Sequence, residues 1–237
     1  MAPDAIVLHY TGMADAAAAL RQLSNPAAQV SSHYLVEEDG AILQLVSEAR
    51  RAWHAGRALW HGASDLNSAS VGIEIVNGGH DFGLPPYPDA QIAAVVALCH
   101  DIAERRRIPP DRILAHSDVA PGRKQDPGER FPWDRLHAAG VGLWVPERTG
   151  SGRVLDLGAS GAAVKALQSD LGEVGYGLDP SGLYDARTRS VVAAFQRHFR
   201  PSRVDGVADG GTRTTLADLL AERRRLIGGR APPRAGA

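Results

Sequence analysis

The chain has 237 residues, which predicts one domain of about 150 residues and a smaller second one. A formal net charge of −1 argues against nucleic-acid binding as the main function, because no overall basic surface is available to neutralise phosphates. Hydrophobic residues make up 44% of the chain, enough to bury a core, yet no apolar run approaches the ~20 residues of a membrane-spanning helix. We therefore expect no nucleic-acid partner and no membrane-spanning segment.

The first 146 residues mix strands and helices without regular βαβ alternation. Apolar periodicity and turn residues predict a strand at 5–10, a helix at 15–23, a hairpin at 30–48, a strand at 70–77, a helix at 90–107 and a strand at 112–118. Asp39-Gly40 is the predicted hairpin turn. This pattern predicts an α+β domain over residues 1–146 with a mixed β-sheet flanked by helices.

The composition changes after residue 146. Residues 147–153 are rich in Gly, Ser and charge, which is typical of a linker. Helical periodicity then predicts a small three-helix domain at 154–221, and residues 222–237 are predicted to be a basic flexible tail. The second and third helices of this domain begin with the same motif. Gly182, Asp185, Thr188 and Arg189 recur 24 residues later as Gly206, Asp209, Thr212 and Arg213. Both aspartates are predicted to cap their helices.

A polar stretch at 112–133, RILAHSDVAPGRKQDPGERFPW, places His116, Lys124 and Asp126 close together. It is either a plain connecting loop or a loop that returns Asp126 to the side of His116 at the edge of a pocket. His9 ends a predicted buried strand where a polar turn begins, so it is a candidate for a third ligand. Two histidines and a carboxylate suit zinc, which in catalytic sites commonly keeps a fourth position for water.

Residues 5–146 carry a series of motifs that resembles one enzyme family. In order, these are VLHYTG, VSSHYLVEEDG, WHAG, LNSASVGIEIVN, PYPDAQI, AHSDVAPGRKQDPGERFPW and GVGLWVP. They closely resemble the zinc-dependent N-acetylmuramoyl-L-alanine amidases of type 2, especially the AmiD-like branch, which are related to peptidoglycan recognition proteins. The resemblance implies cleavage of the amide between the lactyl group of N-acetylmuramic acid and L-alanine.

The same resemblance implies a set of site residues. By matching motif, the zinc ligands are His9, His116 and Asp126, and the catalytic residues are Glu74 and Lys124. Glu74 is expected to act as the base and Lys124 to stabilise the oxyanion, although each could instead be a solvated side chain.

Three further residues are expected to line the substrate groove, with packing as the alternative. They are Trp53, His54 and Asn67.

Residues 154–221 resemble a second family, the three-helix peptidoglycan-binding domains, in the segments GASGAAVKALQSDLGEVGY, SGLYDARTRSVVAAFQRHF and VDGVADGGTRTTLADLL. The expected partners are therefore peptidoglycan, muropeptides or anhydro-muropeptides. Two arrangements stay open. The second domain either tethers the enzyme to its polymer or packs on the amidase domain and supports its fold.

Two other functions stay open at this point, a catalytically silent peptidoglycan-binding protein and a phage-like lytic enzyme. The compartment is open too. The first residues carry no secretory signal, which favours the cytoplasm and a recycling role, whereas a trimmed N-terminus and a wall-binding domain would suit the periplasm.

Overall fold

The computed structural model describes residues 3–228. The strands are β1 (Ala5–Tyr10), β2 (Tyr34–Val36), β3 (Ile42–Gln44), β4 (Ser70–Ile75) and β5 (Ile113–Ala115). The helices are α1 (Ala16–Leu23), α2 (Leu66–Ala69), α3 (Asp89–Arg106), α4 (His116–Val119), α5 (Trp133–Ala138), α6 (Ala162–Val174), α7 (Ala186–Phe199) and α8 (Gly210–Gly228). Within these residues, no helix is long and apolar enough to cross a membrane.

The five strands form one mixed sheet in the order β3-β2-β4-β1-β5. β1 lies parallel to both β4 and β5, and β2 lies parallel to β4, whereas β2 and β3 form the predicted antiparallel hairpin. The α+β expectation of a mixed sheet flanked by helices is confirmed.

The two faces of the sheet pack against different helices. Side chains alternate along a strand, so Ile6 and Leu8 of β1 pack with α3 on one face, while Val7 belongs to a core on the other face. His9 follows Val7 by two residues and therefore projects from that second face. The sheet thus places the end of β1 and the C-terminal helices on the same side.

The C-terminal domain contains the three predicted helices. Asp185 accepts a hydrogen bond from the backbone N–H of Thr188 at 2.8 Å, and Asp209 accepts one from Thr212 at 2.8 Å, so the repeated motif does cap both helices. The prediction of a tail from residue 222 was wrong in its first part, because residues 222–228 continue α8. The rest of the predicted tail, 229–237, lies outside the described residues.

The C-terminal domain packs directly on the sheet and shares a core with it. That core joins Val7 and Leu114 of the sheet to apolar side chains of α6, α7 and α8. Buried Trp60 meets the ring of Tyr176 edge to face at 5.0 Å. A Cβ atom at position 175 would overlap the ring of Trp60, so Gly175 permits this close approach. Of the two arrangements that the sequence left open, the structure has the packed one.

The predicted linker also contacts the third helix of this domain. The backbone N–H of Arg148 donates to Thr215 Oγ1 at 2.9 Å, and its guanidinium Nε donates to Asp218 Oδ2 at 2.6 Å. The connection between the two domains is therefore held against α8.

We expect Trp60→Ala to lower the free energy of unfolding by about 3–5 kcal/mol, because it leaves a cavity in the shared core. Denaturant unfolding of the full chain measures this loss. The matched control is Trp53→Ala, since the Trp53 side chain is 52% exposed. This control should change stability by no more than about 0.5 kcal/mol. Equal effects of the two substitutions would contradict a shared core.

Candidate active site

The sheet and the loop after β5 bring the predicted metal ligands together. In the parallel pairing of β1 with β4, His9 stands opposite Glu74, so both side chains leave the same face of neighbouring strands. The strand predicted at 112–118 ends earlier than expected, at Ala115, and His116 begins the single turn α4. The backbone N–H of Ser117 donates to Asp126 O at 2.9 Å, which ties this turn to the returning loop.

The ligand atoms of the three residues form a compact triangle. His9 Nδ1 lies 2.9 Å from His116 Nδ1 and 3.0 Å from Asp126 Oδ2, and the His116 Nδ1 to Asp126 Oδ2 distance is 2.9 Å. All three residues are at least 95% buried. Across residues 3–228, this is the one group of three or more such side chains whose geometry could hold a metal ion.

Hydrogen bonds on the outer side of the triangle indicate which nitrogen carries the proton in each of the two candidate ligand histidines. His116 Nε2–H donates to the carbonyl of Ala55 at 3.0 Å. In the neutral ring, Nδ1 then carries no proton and presents its lone pair. His9 Nε2 lies 3.0 Å from His54 Nδ1, and His54 Nε2 lies 3.5 Å from Ser70 Oγ. The Ser70 hydroxyl donates its proton to the Leu66 carbonyl, so the Ser70 oxygen accepts from His54 Nε2–H. His54 Nδ1 therefore carries no proton and accepts from His9 Nε2–H. Two imidazole lone pairs therefore converge on a carboxylate oxygen, an arrangement that a cation stabilises.

The surroundings favour the protonation states that a metal site needs. Burial, followed by the neighbouring His116, lowers the pKa of His9 to about 4, so its ring is neutral near pH 7. Burial alone would raise the pKa of Asp126, but positive charge beside it outweighs that effect and holds the pKa well below its usual range. His116 and His9 supply this charge when they are protonated, and a bound cation would supply it when they are neutral. Neutral imidazole and ionised carboxylate are the forms that bind a metal.

Glu74 and Lys124 line the same cavity as the triangle, which has a volume of about 330 Å³. Burial, followed by the charge of Asp126, raises the pKa of Glu74 well above its usual value, and Lys124 opposes this shift. One carboxylate oxygen of Glu74, Oε2, is buried without a hydrogen-bond partner in the described part of the chain. An unpaired buried carboxylate oxygen is costly, so its presence beside the triangle indicates a functional role.

The predicted groove residues occupy three different environments. The His54 ring lies behind His9 and against strand β4. Gly72 of β4 leaves room for this ring, because a Cβ atom at position 72 would overlap it. Asn67 is buried, and its side-chain oxygen accepts from the backbone N–H groups of His54 and Ala55 at 3.0 and 2.8 Å. Trp53 is exposed. His54 borders the cavity, while Asn67 and Trp53 are not among its lining residues, and the substrate contacts of all three stay predictions.

Sequence reasoning missed much of the cavity wall. Side chains from the end of β1, the turn after it, α1 and the segment between α1 and β2 complete the lining, namely Tyr10, Thr11, Met13, Ala19, Gln22, Leu23 and Val30. The sequence predicted a helix at 15–23 but could not say which part of the molecule this helix covers. The placement of α1 beside the triangle is a tertiary property.

Family comparisons match both parts of the chain. Residues 1–129 match the family described as N-acetylmuramoyl-L-alanine amidase, and residues 160–216 match a peptidoglycan binding domain family. Both matches agree with the resemblances that the motifs indicated.

Among curated proteins, the chain is 38% identical over 234 residues to the N-acetylmuramoyl-L-alanine amidase AmiD of Escherichia coli, covering 92% of this chain and 82% of that protein. It is 41% identical over 109 residues to the 1,6-anhydro-N-acetylmuramyl-L-alanine amidase AmpD of Enterobacter cloacae, covering 46% of this chain and 56% of that protein.

Two solved structures show the same architecture over nearly the whole chain. One is E. coli AmiD in complex with the substrate anhydro-N-acetylmuramic acid-L-Ala-D-gamma-Glu-L-Lys, with a TM-score of 0.81, 35% identity, and coverage of 95% of this chain and 91% of that chain. The other is AmpDh3 of Pseudomonas aeruginosa with anhydromuramic pentapeptide, with a TM-score of 0.77, 33% identity, and coverage of 94% and 93%.

We expect the purified protein to hold about one divalent metal ion per chain, and Asp126→Ala to lose it, because the substitution removes one of three ligands and the only anionic one. Elemental analysis after dialysis measures the ratio. Asp134→Ala serves as the control, since Asp134 is exposed on α5 and should leave metal content unchanged. Full metal content in Asp126→Ala would remove this residue from the ligand set.

Proposed function

This chain belongs to the N-acetylmuramoyl-L-alanine amidase family, and on that premise we propose that a zinc ion held by His9, His116 and Asp126 works with Glu74 and Lys124 to hydrolyse the muramyl to L-alanine amide. The observation that carries this assignment is the convergence of two imidazole lone pairs and a carboxylate oxygen in a cavity that an unpaired Glu74 oxygen also lines. This donor set has the nitrogen and oxygen atoms that zinc prefers, and three protein ligands are typical of catalytic zinc.

Each residue then has one role in the reaction. Zinc bound by this set would polarise the scissile carbonyl and lower the pKa of a water molecule to about 7. The Glu74 carboxylate takes a proton from the attacking water and passes it to the leaving nitrogen of L-alanine. The Lys124 ammonium lies at the cavity wall, where its positive charge stabilises the negative oxygen that develops on the carbonyl.

The proposed substrates are anhydro-muramyl peptides and peptidoglycan, in line with a role in cell-wall recycling. Two relatives of known structure were solved with anhydromuramyl peptides, and residues 160–216 match a peptidoglycan binding family. A cavity of about 330 Å³ is within the usual range for small-molecule sites and suits the junction of a sugar with its first amino acids.

Glu74→Gln tests the base. We expect it to lower kcat by about a hundredfold or more while metal content stays unchanged, because the amide keeps the shape of the side chain but cannot take up the proton. Release of free stem peptide from soluble muropeptide, followed by mass spectrometry, measures kcat. Unchanged muropeptide with the wild-type protein would favour a binding-only function, and rapid lysis of intact cells from outside would favour the lytic one.

The same assay gives the pH dependence. Glu74 acts only when ionised, and its pKa is raised by burial and by Asp126, so kcat should fall as the pH drops through a value above the ordinary 4.5. The acidic limb should disappear in Glu74→Gln and persist in Glu38→Gln, a control at the exposed tip of the hairpin. An acidic limb that is unchanged in position and slope in Glu74→Gln would assign it to the zinc-bound water or to another residue, and not to Glu74.

Lys124→Met should lower kcat by about tenfold to a hundredfold with a smaller change in KM, because the charge acts mainly on the oxyanion of the transition state. Lys165→Met is the matched control, since Lys165 is exposed on α6. Equal kcat values for the two variants would remove Lys124 from the mechanism.

A further inference from the structure

Asp118 is a buried carboxylate that closes the helical turn bearing His116. Its Oδ2 accepts a hydrogen bond at 2.9 Å from the backbone N–H of Ala115, the residue that precedes His116. The turn α4 has only four residues, too few to be stable as an isolated helix. Its geometry therefore depends on groups that hold it from outside.

The other hydrogen bonds to this carboxylate come from the C-terminal domain. The hydroxyl of Tyr176, just after α6, donates to Asp118 Oδ1 at 2.7 Å. His198 Nδ1 in α7 donates to Asp118 Oδ2 at 2.7 Å. Asp118, Tyr176 and His198 are all at least 97% buried, so solvent cannot replace these donors.

The two donors are themselves held in place by aromatic contacts with the amidase domain. Tyr176 packs edge to face on Trp60, and the ring of His198 stacks on Trp133 with centroids 3.8 Å apart. Their hydrogen atoms thus reach Asp118 from fixed positions. A displacement of the turn would also disturb Asp126, because Ser117 N–H donates to its carbonyl.

We propose that Tyr176 and His198 are positioning residues of the amidase centre, through which the C-terminal domain sets the orientation of His116. The inference rests on the metal site proposed above. It gives the C-terminal domain a role beyond peptidoglycan binding, since two of its side chains support a ligand that they do not touch.

The test uses the full chain with Tyr176→Phe and His198→Phe, which each remove a hydrogen bond to Asp118 while keeping an aromatic ring in place. We expect zinc affinity, measured by competition with a chelator, to fall about tenfold or more, as for other groups that orient metal ligands. On soluble muropeptide, kcat should fall by about the same factor with KM little changed, because the substrate-contacting surface is intact.

The control is Arg223→Gln, which breaks another contact between the domains, the bond from Arg223 Nε to Asp111 Oδ2 at 3.0 Å. This bond does not involve Asp118. The control should keep wild-type zinc affinity and kcat even if its melting temperature falls, which separates positioning from general stability.

Hydrogen exchange on the metal-free protein gives a readout that needs no zinc. The Ala115 amide should exchange faster in Tyr176→Phe and His198→Phe than in the wild-type protein, and at the wild-type rate in Arg223→Gln. Wild-type exchange, zinc affinity and kcat in both variants would overturn the inference, as would equal losses in the control. Failure of the wild-type protein to bind zinc would instead overturn the proposed metal centre, and the exchange rates would still decide the role of Tyr176 and His198.

Discussion

Three electron-rich atoms lie within 3.0 Å of one another at the end of β1, and their mutual repulsion is the constraint on which the site depends. Water cannot screen this repulsion, because the three side chains are buried. The protein holds them by hydrogen bonds to their far sides, from His9 to His54 and from His116 to the Ala55 carbonyl. These outer bonds direct the lone pairs inward, which is the arrangement that a metal ion requires.

The parallel pairing of β1 with β4 extends this constraint to catalysis. It sets His9 opposite Glu74, so a proposed metal ligand and the proposed base share one face and one end of the sheet. The same face supports Glu74 in a buried position, where its raised pKa keeps it a stronger base than an exposed carboxylate. Apolar side chains on the opposite face pack against α3, which anchors both strands from behind.

The C-terminal helices pack on the same face of the sheet as His9 and Glu74. Their shared core with the sheet buries Trp60 and Tyr176, and Asp118 receives hydrogen bonds from His198 of α7 and from Tyr176, two residues after α6. Because the carboxylate of Asp118 also closes the turn that bears His116, domain packing and site geometry are connected by a single side chain. A peptidoglycan-binding domain that packs in this way is structurally part of the enzyme as well as a contact to the polymer.

Local patterns in the sequence were sufficient for the strands, the hairpin turn at Asp39-Gly40 and the helix caps at Asp185 and Asp209, since each depends on residues close together in the chain. Ordered motifs also identified the family, and they predicted as metal ligands the three residues that the structure brings together in a triangle. Tertiary structure alone decided that β5 ends before His116, that His54 lies behind His9, and that the two domains share a core. It also decided the partners of Asp118, which lie 58 and 80 residues away along the chain. Periodicity tells which side of a helix is buried, but not which distant surface buries it, because that choice depends on the packing of the whole molecule.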